Sequence, residues 1–247
     1  NQENQTKAAQ IQQQKTLRNF LLAAAAFLLI TIGGITYQYL FAQRTNKIIS
    51  EERNKADKLL LNILPLETAE ELKKYGAVKA KKYEFVTVLF TDFVAFTKQV
   101  ENIPPEELVQ SIDYYFKAFD AIFEKHNMEK IKTIGDSYMC AGGLPMPNKT
   151  NPEDAVLAGM EIIKFVEGLK HNKPEYVHEF DVRVGINTGP VITGVVGTSK
   201  FQYDVWGDTV NVASRLEAAC EPGKVNISEF TYNHIKDKFS FTQRGDI

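Results

Sequence analysis

A chain of 247 residues has room for one or two domains plus appendages. Its 29 basic and 31 acidic side chains leave a formal net charge of −2, which gives no global electrostatic ground for nucleic-acid binding. Cys140 and Cys220 form no CxxC or metal-type spacing and read as reduced thiols, and His126, His171, His178 and His234 lie scattered among polar neighbours and read as surface residues. No initiator Met begins the chain and the last strand pattern stops abruptly at Ile247, so both ends look cut from something longer.

Residues 1–18 are rich in Gln and Asn and predict a polar helix or an extended tail. Residues 19–43 then carry no charge at all. At about 1.5 Å per residue this run reaches about 37 Å, enough to cross a hydrocarbon core of about 30 Å. Tyr37, Tyr39 and Phe41 gather at one end as an interfacial aromatic belt does. A signal peptide has a shorter apolar region after a short basic start, so a single membrane span is the expectation, with membrane lipid as a partner. Arg44, Lys47, Arg53, Lys55 and Lys58 after the span outnumber Lys7, Lys15 and Arg18 before it, which puts the C-terminal part in the cytoplasm. Small residues at 23–26 and 33–34 permit close helix packing, a weak sign of a dimer.

Residues 44–64 predict a continuing helix. Ile49, Ala56 and Ile63 recur every seven positions with Leu59 on the same side, a short pattern that suits a parallel two-stranded signalling linker. Pro65 breaks that helix, and residues 66–75 predict a second one capped by Gly76. The linker is thus placed at 44–76 and a globular αβ domain at 77–247.

Within that domain residues 85–91 form an apolar, β-branched run of strand length that ends at Asp92. Pro104 and Pro105 start a long amphipathic helix to about His126, with Leu108, Ile112, Tyr115, Phe116, Phe119 and Phe123 as its core stripe. Residues 128–143 read as two strands around Gly135 and Asp136, a hairpin whose turn opens with Gly. A loop over 144–152 and a helix over 153–169 follow. Residues 180–187 and 191–196 predict a second hairpin around 188–190, then comes the strand-like FQYDVW. Asp208 is expected to cap a helix through about Ala219. Residues 225–227 predict a short strand, Ser228 caps the last helix, and a further strand is expected from Phe239 onward.

Two carboxylates carry the chemistry. Asp92 at the end of a core strand reads either as a helix cap or as a metal ligand followed by a turn, 93–97, whose N–H groups face a phosphate. Asp136 alone is an ordinary turn residue. If the hairpin pairs beside the first strand, however, the two come to one end of one sheet, where they repel unless a cation lies between them. Oxygen-only ligation suits Mg²⁺ or Mn²⁺, and two such ions are the usual apparatus of in-line phosphoryl displacement. Lys132 in an apolar strand is either a solvated edge residue, for which Lys130 is the more ordinary candidate, or a donor converging with the buried-looking Asp204 on a base. Asn211 and Arg215, spaced i, i+4 on one helix flank, are either an exposed pair or a guanidinium aimed at a phosphoryl group.

With those residues in view, FTDFVAFT, EKIKTIGDSYM, RVGINTGPV and YDVWGDTVNVASRLE together resemble the class III nucleotidyl cyclase catalytic domain, in the family's order. The resemblance implies an α+β, ferredoxin-like palm preceded by a helical linker and one transmembrane helix. It implies a membrane-anchored adenylate cyclase that turns ATP into cyclic AMP and pyrophosphate with two Mg²⁺ or Mn²⁺ ions per site. By the same resemblance Asp92 and Asp136 hold the metals, and the turn with Phe93, Phe96 and Thr97 holds phosphate. Lys132 and Asp204 select adenine, where guanylyl members carry Glu and Cys, and Asn211 and Arg215 position the ribose and steady the transition state. The active site of the family forms between two head-to-tail domains, so a chain carrying both halves implies a homodimer; the balanced charge already speaks against a nucleic-acid partner. A non-catalytic nucleotide-binding signalling dimer is the alternative. The absence of a GGDEF-like run speaks against a diguanylate cyclase. There is one departure: the family places a phosphate-binding Lys in a KGK-like segment shortly after the pair matching Arg244 and Gly245, and this sequence ends before it, which implies weak or absent activity of the chain as it stands.

Overall fold

The computed structural model describes residues 2–197 and 200–245. It divides into two units, residues 1–62 and 63–247, taken separately here. The first is one helix, α1 (Gln2–Leu61), of 60 residues. The expected polar segment, the expected span and the first part of the expected linker, as far as Leu61, therefore run on as one helix. From Ile11 onward its residues are almost all exposed, including Phe20, Leu21, Leu22, Phe27, Leu28, Leu29 and Ile30. It is long and apolar enough to cross a membrane. Within the apolar run the hydroxyls of Thr31 and Thr36 donate back to the carbonyls of Leu28 and Ile32, at 2.8 Å each. Such local bonding gives these two hydroxyls a partner within their own helix. Ile63 lies beyond the end of α1, so the third position of the heptad pattern is not on the helix.

The second unit begins earlier than the expected domain start at residue 77. Helix α2 (Leu66–Tyr75) belongs to it: Leu64, Thr68 and Ala69 are buried, and Glu71 accepts from the Lys79 N–H at 2.9 Å and pairs with Lys81 at 3.0 Å. Gly76 ends α2 in the left-handed conformation (φ 70°), its N–H donating to Leu72, as expected from sequence.

The palm itself is β1 (Lys81–Phe93), α3 (Phe96–Gln99), α4 (Pro105–Lys125), β2 (Met128–Ile134), β3 (Ser137–Gly142), α5 (Asn151–Leu169) and β4 (Val182–Val196). The sheet runs β2-β3-β1-β4-β5, with β1 antiparallel to both β3 and β4, which is the ferredoxin-like βαββαβ order with an added strand, β5 (Gln202–Trp206). β6 (Val225–Ile227) pairs parallel to β4, between α6 (Asp208–Ala218) and α7 (Glu229–Ile235).

β1 is buried on both faces, which is why its sequence is a continuous apolar run rather than an alternating one. Leu89 and Phe93 face α4 and α5 in a core with Tyr115, Phe119, Phe123, Tyr138 and Phe180. Each such fully buried aromatic contributes about 2–3 kcal/mol. Val86, Val88 and Phe90 face the other way, against Met139, Val205 and Ala213. The β4–β5 arm and α6 thus cover the second face.

The expected hairpin at 188–190 is absent. β4 crosses this region as one strand, pairing with β1 from Thr193↔Lys81 to Val182↔Phe93. Pro190 lacks an N–H for the ladder, which in sequence marks a break in the strand. The structure accommodates it opposite a bulge in β1 between Tyr83 and Val86, where pairing is already interrupted. Three smaller differences follow. Gly207, not Asp208, is the N-cap of α6; α5 starts at Asn151, ahead of Glu153; and 239–245 form no strand. Cys140 and Cys220 are free thiols, in line with the sequence reading, and both are buried. Of the histidines, His126 is not a surface residue: its ring is half-buried and bonds Glu161 at 2.8 Å.

Candidate active site

The two acidic candidates meet. β3 pairs with β1 so that Tyr138 lies opposite Thr91, which brings the head of β3 beside Asp92. The Ser137 hydroxyl donates to Asp92 Oδ1 at 2.6 Å. Gly135 (φ 64°) makes the tight turn that delivers Asp136 to the same end. Burial, and then the negative charge of Asp92, push the Asp136 carboxyl above its ordinary value. Asp92 is not a helix cap: the N-cap of α3 is Ala95, without a side-chain bond. Nor does β1 stop at Asp92, which pairs with Arg183 one position before the strand ends.

Sequence reasoning missed two charged residues here. Arg183 donates from Nη2 to Asp92 Oδ2 at 2.9 Å and from Nε to Glu217 Oε1 at 2.5 Å. Burial opposes its charge, yet Glu217 and Asp92 together outweigh that and raise its pKa. Glu217 is itself raised, by burial first and by Asp92 second. The signal for Arg183 was present, a charge inside the apolar RVGI run, but only the β1–β4 register reveals its partner. Glu217 reaches it because Gly185 has no side chain. A Cβ there would lie 2.1 Å from the Glu217 nitrogen, so α6 rests directly on β4.

This donor set fits a hard divalent cation. Asp92, Asp136 and the Ser137 hydroxyl offer only oxygens, and the repulsion from Asp92, which adds to burial in raising Asp136, is what a cation between the two would relieve. Among the described residues no group of three or more His, Cys, Asp or Glu forms a closed metal cage. Two carboxylates, with water and phosphate completing the shell, are the usual protein share for Mg²⁺.

The turn after β1 differs in part from expectation. The Phe93 side chain faces no ligand: it is 2% exposed, its ring 5.1 Å from those of Tyr115 and Phe180. The Val94 N–H is spent on Asp181 O at 2.8 Å. Ala95 takes the left-handed conformation (φ 54°), and the N–H groups of Ala95, Phe96 and Thr97 have no backbone partner among the described residues. Phe96 packs on the core while Thr97 is exposed.

Lys132 and Asp204 are brought together from the two ends of the sheet path, Nζ to Oδ2 at 2.6 Å. Asp204 is 6% exposed, its Oδ1 accepting from the Val205 N–H at 2.8 Å. A bulge between Lys130 and Lys132 decides which lysine does this. It breaks their shared parity, so Lys130 turns to Asp120 and the Tyr138 ring while Lys132 reaches Asp204. Asn211 and Arg215 lie on one flank of α6, both exposed. Neither bonds to Asp92, Asp136, Lys132 or Asp204.

Comparison with known proteins gives a consistent picture. Residues 78–247 match the family described as "Adenylate and Guanylate cyclase catalytic domain". An adenylate cyclase of Mycobacterium tuberculosis (strain ATCC 25618 / H37Rv) is 34% identical over 230 residues, covering 93% of this chain and 51% of that protein. The chain thus spans about half the length of this curated relative. The catalytic core of a rhodopsin-guanylyl cyclase with converted specificity, solved in complex with ATPalphaS, superposes with a TM-score of 0.62 at 35% identity, over 66% of this chain and 86% of that one. The adenylyl cyclase CyaB from P. aeruginosa gives 0.58 at 31% identity, over 65% and 84%.

Proposed function

The chain belongs to the adenylate and guanylate cyclase catalytic domain family, and on that premise we propose that it converts ATP to 3′,5′-cyclic AMP and pyrophosphate in a homodimer. Family membership leaves ATP and GTP open, and the observation that carries the choice of ATP is the Lys132–Asp204 pair. It presents one donor and one acceptor, held at a fixed spacing by a nearly buried carboxylate. An adenine ring nitrogen accepts from the lysine and the exocyclic amino group donates to the aspartate. In guanylyl members that the sequence resembles, Glu and Cys stand at these positions.

Asp92 and Asp136 would hold two divalent cations, Mg²⁺ or Mn²⁺, which supply activation of the ribose 3′-hydroxyl and neutralisation of the departing pyrophosphate. The chain's own groups do the rest. Asn211 orients the ribose so that the 3′-hydroxyl lies in line with the α-phosphorus. Arg215 meets the charge that develops on the α-phosphoryl oxygens. The N–H groups of Ala95, Phe96 and Thr97 face the triphosphate, with Phe93 contributing no side-chain contact.

The dimer reading is supported by where these groups lie. At the acidic end Asp92 is paired within the chain, whereas Asn211 and Arg215 lie on an exposed helix flank with no bond to a carboxylate among the described residues. A head-to-tail partner completes both halves. We further propose a single-pass membrane anchor in α1, with the catalytic domain in the cytoplasm, supported by its uncharged run and the basic residues that follow it. Incubation with ATP and with GTP of a form that continues past residue 247 through the KGK-like segment, followed by product chromatography, tests the assignment. Cyclic AMP is the expected product; ATP binding without any cyclic product overturns it in favour of a non-catalytic nucleotide-binding dimer.

A further inference from the structure

Glu217 is the most buried carboxylate at the acidic end, 5% exposed, and the reaction proposed above has no use for it. It is also held there at some cost, since the removal of a carboxylate from water must be offset by a partner. That partner is Arg183, whose Nε donates to Glu217 Oε1 at 2.5 Å. The same guanidinium donates from Nη2 to Asp92 Oδ2 at 2.9 Å, and from Nη1 to the Ala218 carbonyl at 3.3 Å. One cation is therefore shared between two carboxylates, and one of the two is a proposed metal ligand.

A guanidinium and a divalent cation compete for the oxygens of Asp92, because both need its lone pairs. We propose that Glu217 is a positioning residue that sets the cation affinity of the Asp92–Asp136 pair by drawing Arg183 away from Asp92. The inference rests on the metal reading of those two aspartates. Glu217 acts through the planar fork of Arg183, whose Nε and Nη2 engage the two carboxylates at once. With Glu217 neutralised, Asp92 is the one carboxylate left to Arg183 among the described residues, and the guanidinium settles on it. With Glu217 charged, part of the guanidinium's bonding is directed to α6 and Asp92 is freer to turn to a cation.

The test is calorimetric titration of Mn²⁺ alone into the full chain. Glu217→Gln is expected to weaken binding by roughly tenfold, the usual scale for a partner just outside a metal's ligands. In an Arg183→Gln background, which removes the shared cation, the same substitution is expected to change affinity by no more than about twofold. Equal weakening in the two backgrounds would mean that Glu217 acts by charge alone, and it overturns the proposal, as does unchanged affinity of Glu217→Gln itself. Should Gln at this buried position prevent folding, Glu217→Asp shortens the reach to Arg183 and is expected to give an intermediate loss; no loss there is equally fatal. Asp92→Asn separates this inference from the reading beneath it. If that variant binds Mn²⁺ as well as the parent does, the metal assignment fails; if it does not and Glu217→Gln is silent, only the role of Glu217 fails.

Discussion

The acidic end of the sheet and the outer flank of α6 carry the same kinds of residue in opposite circumstances. At the acidic end Asp92, Ser137, Arg183 and Glu217 are joined by hydrogen bonds of 2.5–2.9 Å, each half-buried or buried. On the flank, two and six residues before Glu217 on the same helix, Arg215 and Asn211 stand exposed. A cluster that satisfies its own charges needs only a cation to become a site. A guanidinium left to solvent is open to a second molecule, which is what the proposed dimer supplies.

Substitutions that break one region and spare the other sharpen this contrast. The largest effect is expected from Asp92→Ala, which should reduce cyclase turnover to background while the thermal midpoint stays near the parent value, since Arg183 keeps Glu217. Substantial residual cyclic AMP formation would count against the metal role. Arg215→Ala removes an exposed side chain and should leave the melting curve unchanged, yet lower kcat by about a hundredfold to a thousandfold. A loss seen mainly in KM would instead place Arg215 in ground-state binding. Lys132→Glu with Asp204→Cys is expected to move the ratio of GTP to ATP use by more than about tenfold, measured as kcat/KM for each; an unchanged ratio removes the base-reading role.

Smaller effects probe how the acidic end is built. Gly185→Ala should destabilise the domain by about 2 kcal/mol or more, because the new methyl meets the backbone of α6. A denaturation midpoint equal to the parent's would contradict the close approach of α6 to β4. The smallest effect concerns pH. The Asp136 carboxyl lies above its ordinary 3.8, so the folded, cation-free chain holds that proton more tightly than the unfolded chain. Its contribution to stability is therefore present below the ordinary value and lost as pH rises through the raised one. Cation binding needs the ionised form, so the rise in melting temperature produced by Mn²⁺ should grow over the same interval, and Asp136→Asn should flatten that growth.

Much of the fold was legible because local chemistry and final structure agree. Pro104 and Pro105, Gly76, Gly135 and Ser228 mark element ends in sequence and do so in the structure. What was not legible depends on partners distant in the chain. The unbroken course of β4 past Pro190 rests on a bulge in β1, about a hundred residues earlier. The choice of Lys132 over Lys130 rests on a bulge that alternation alone cannot reveal. Arg183 and Glu217 are 34 residues apart and meet only because Gly185 admits α6 to the sheet. Phe93, read with the phosphate turn, is claimed by the aromatic core instead. The expected strand after Phe239 has apolar residues, Phe239 and Phe241, that pack as an edge-to-face pair without joining a ladder.

The central claim is that each site draws its acidic end from one chain and its Asn–Arg flank from another. Mixing two inactive variants tests it most directly: one lacking the carboxylates (Asp92→Ala, Asp136→Ala), the other lacking the flank (Asn211→Ala, Arg215→Ala). Random pairing makes half of the dimers mixed, each with one intact site, so cyclic AMP formation should recover to about a quarter of the parent rate. A mixture as inactive as either variant alone would contradict the account.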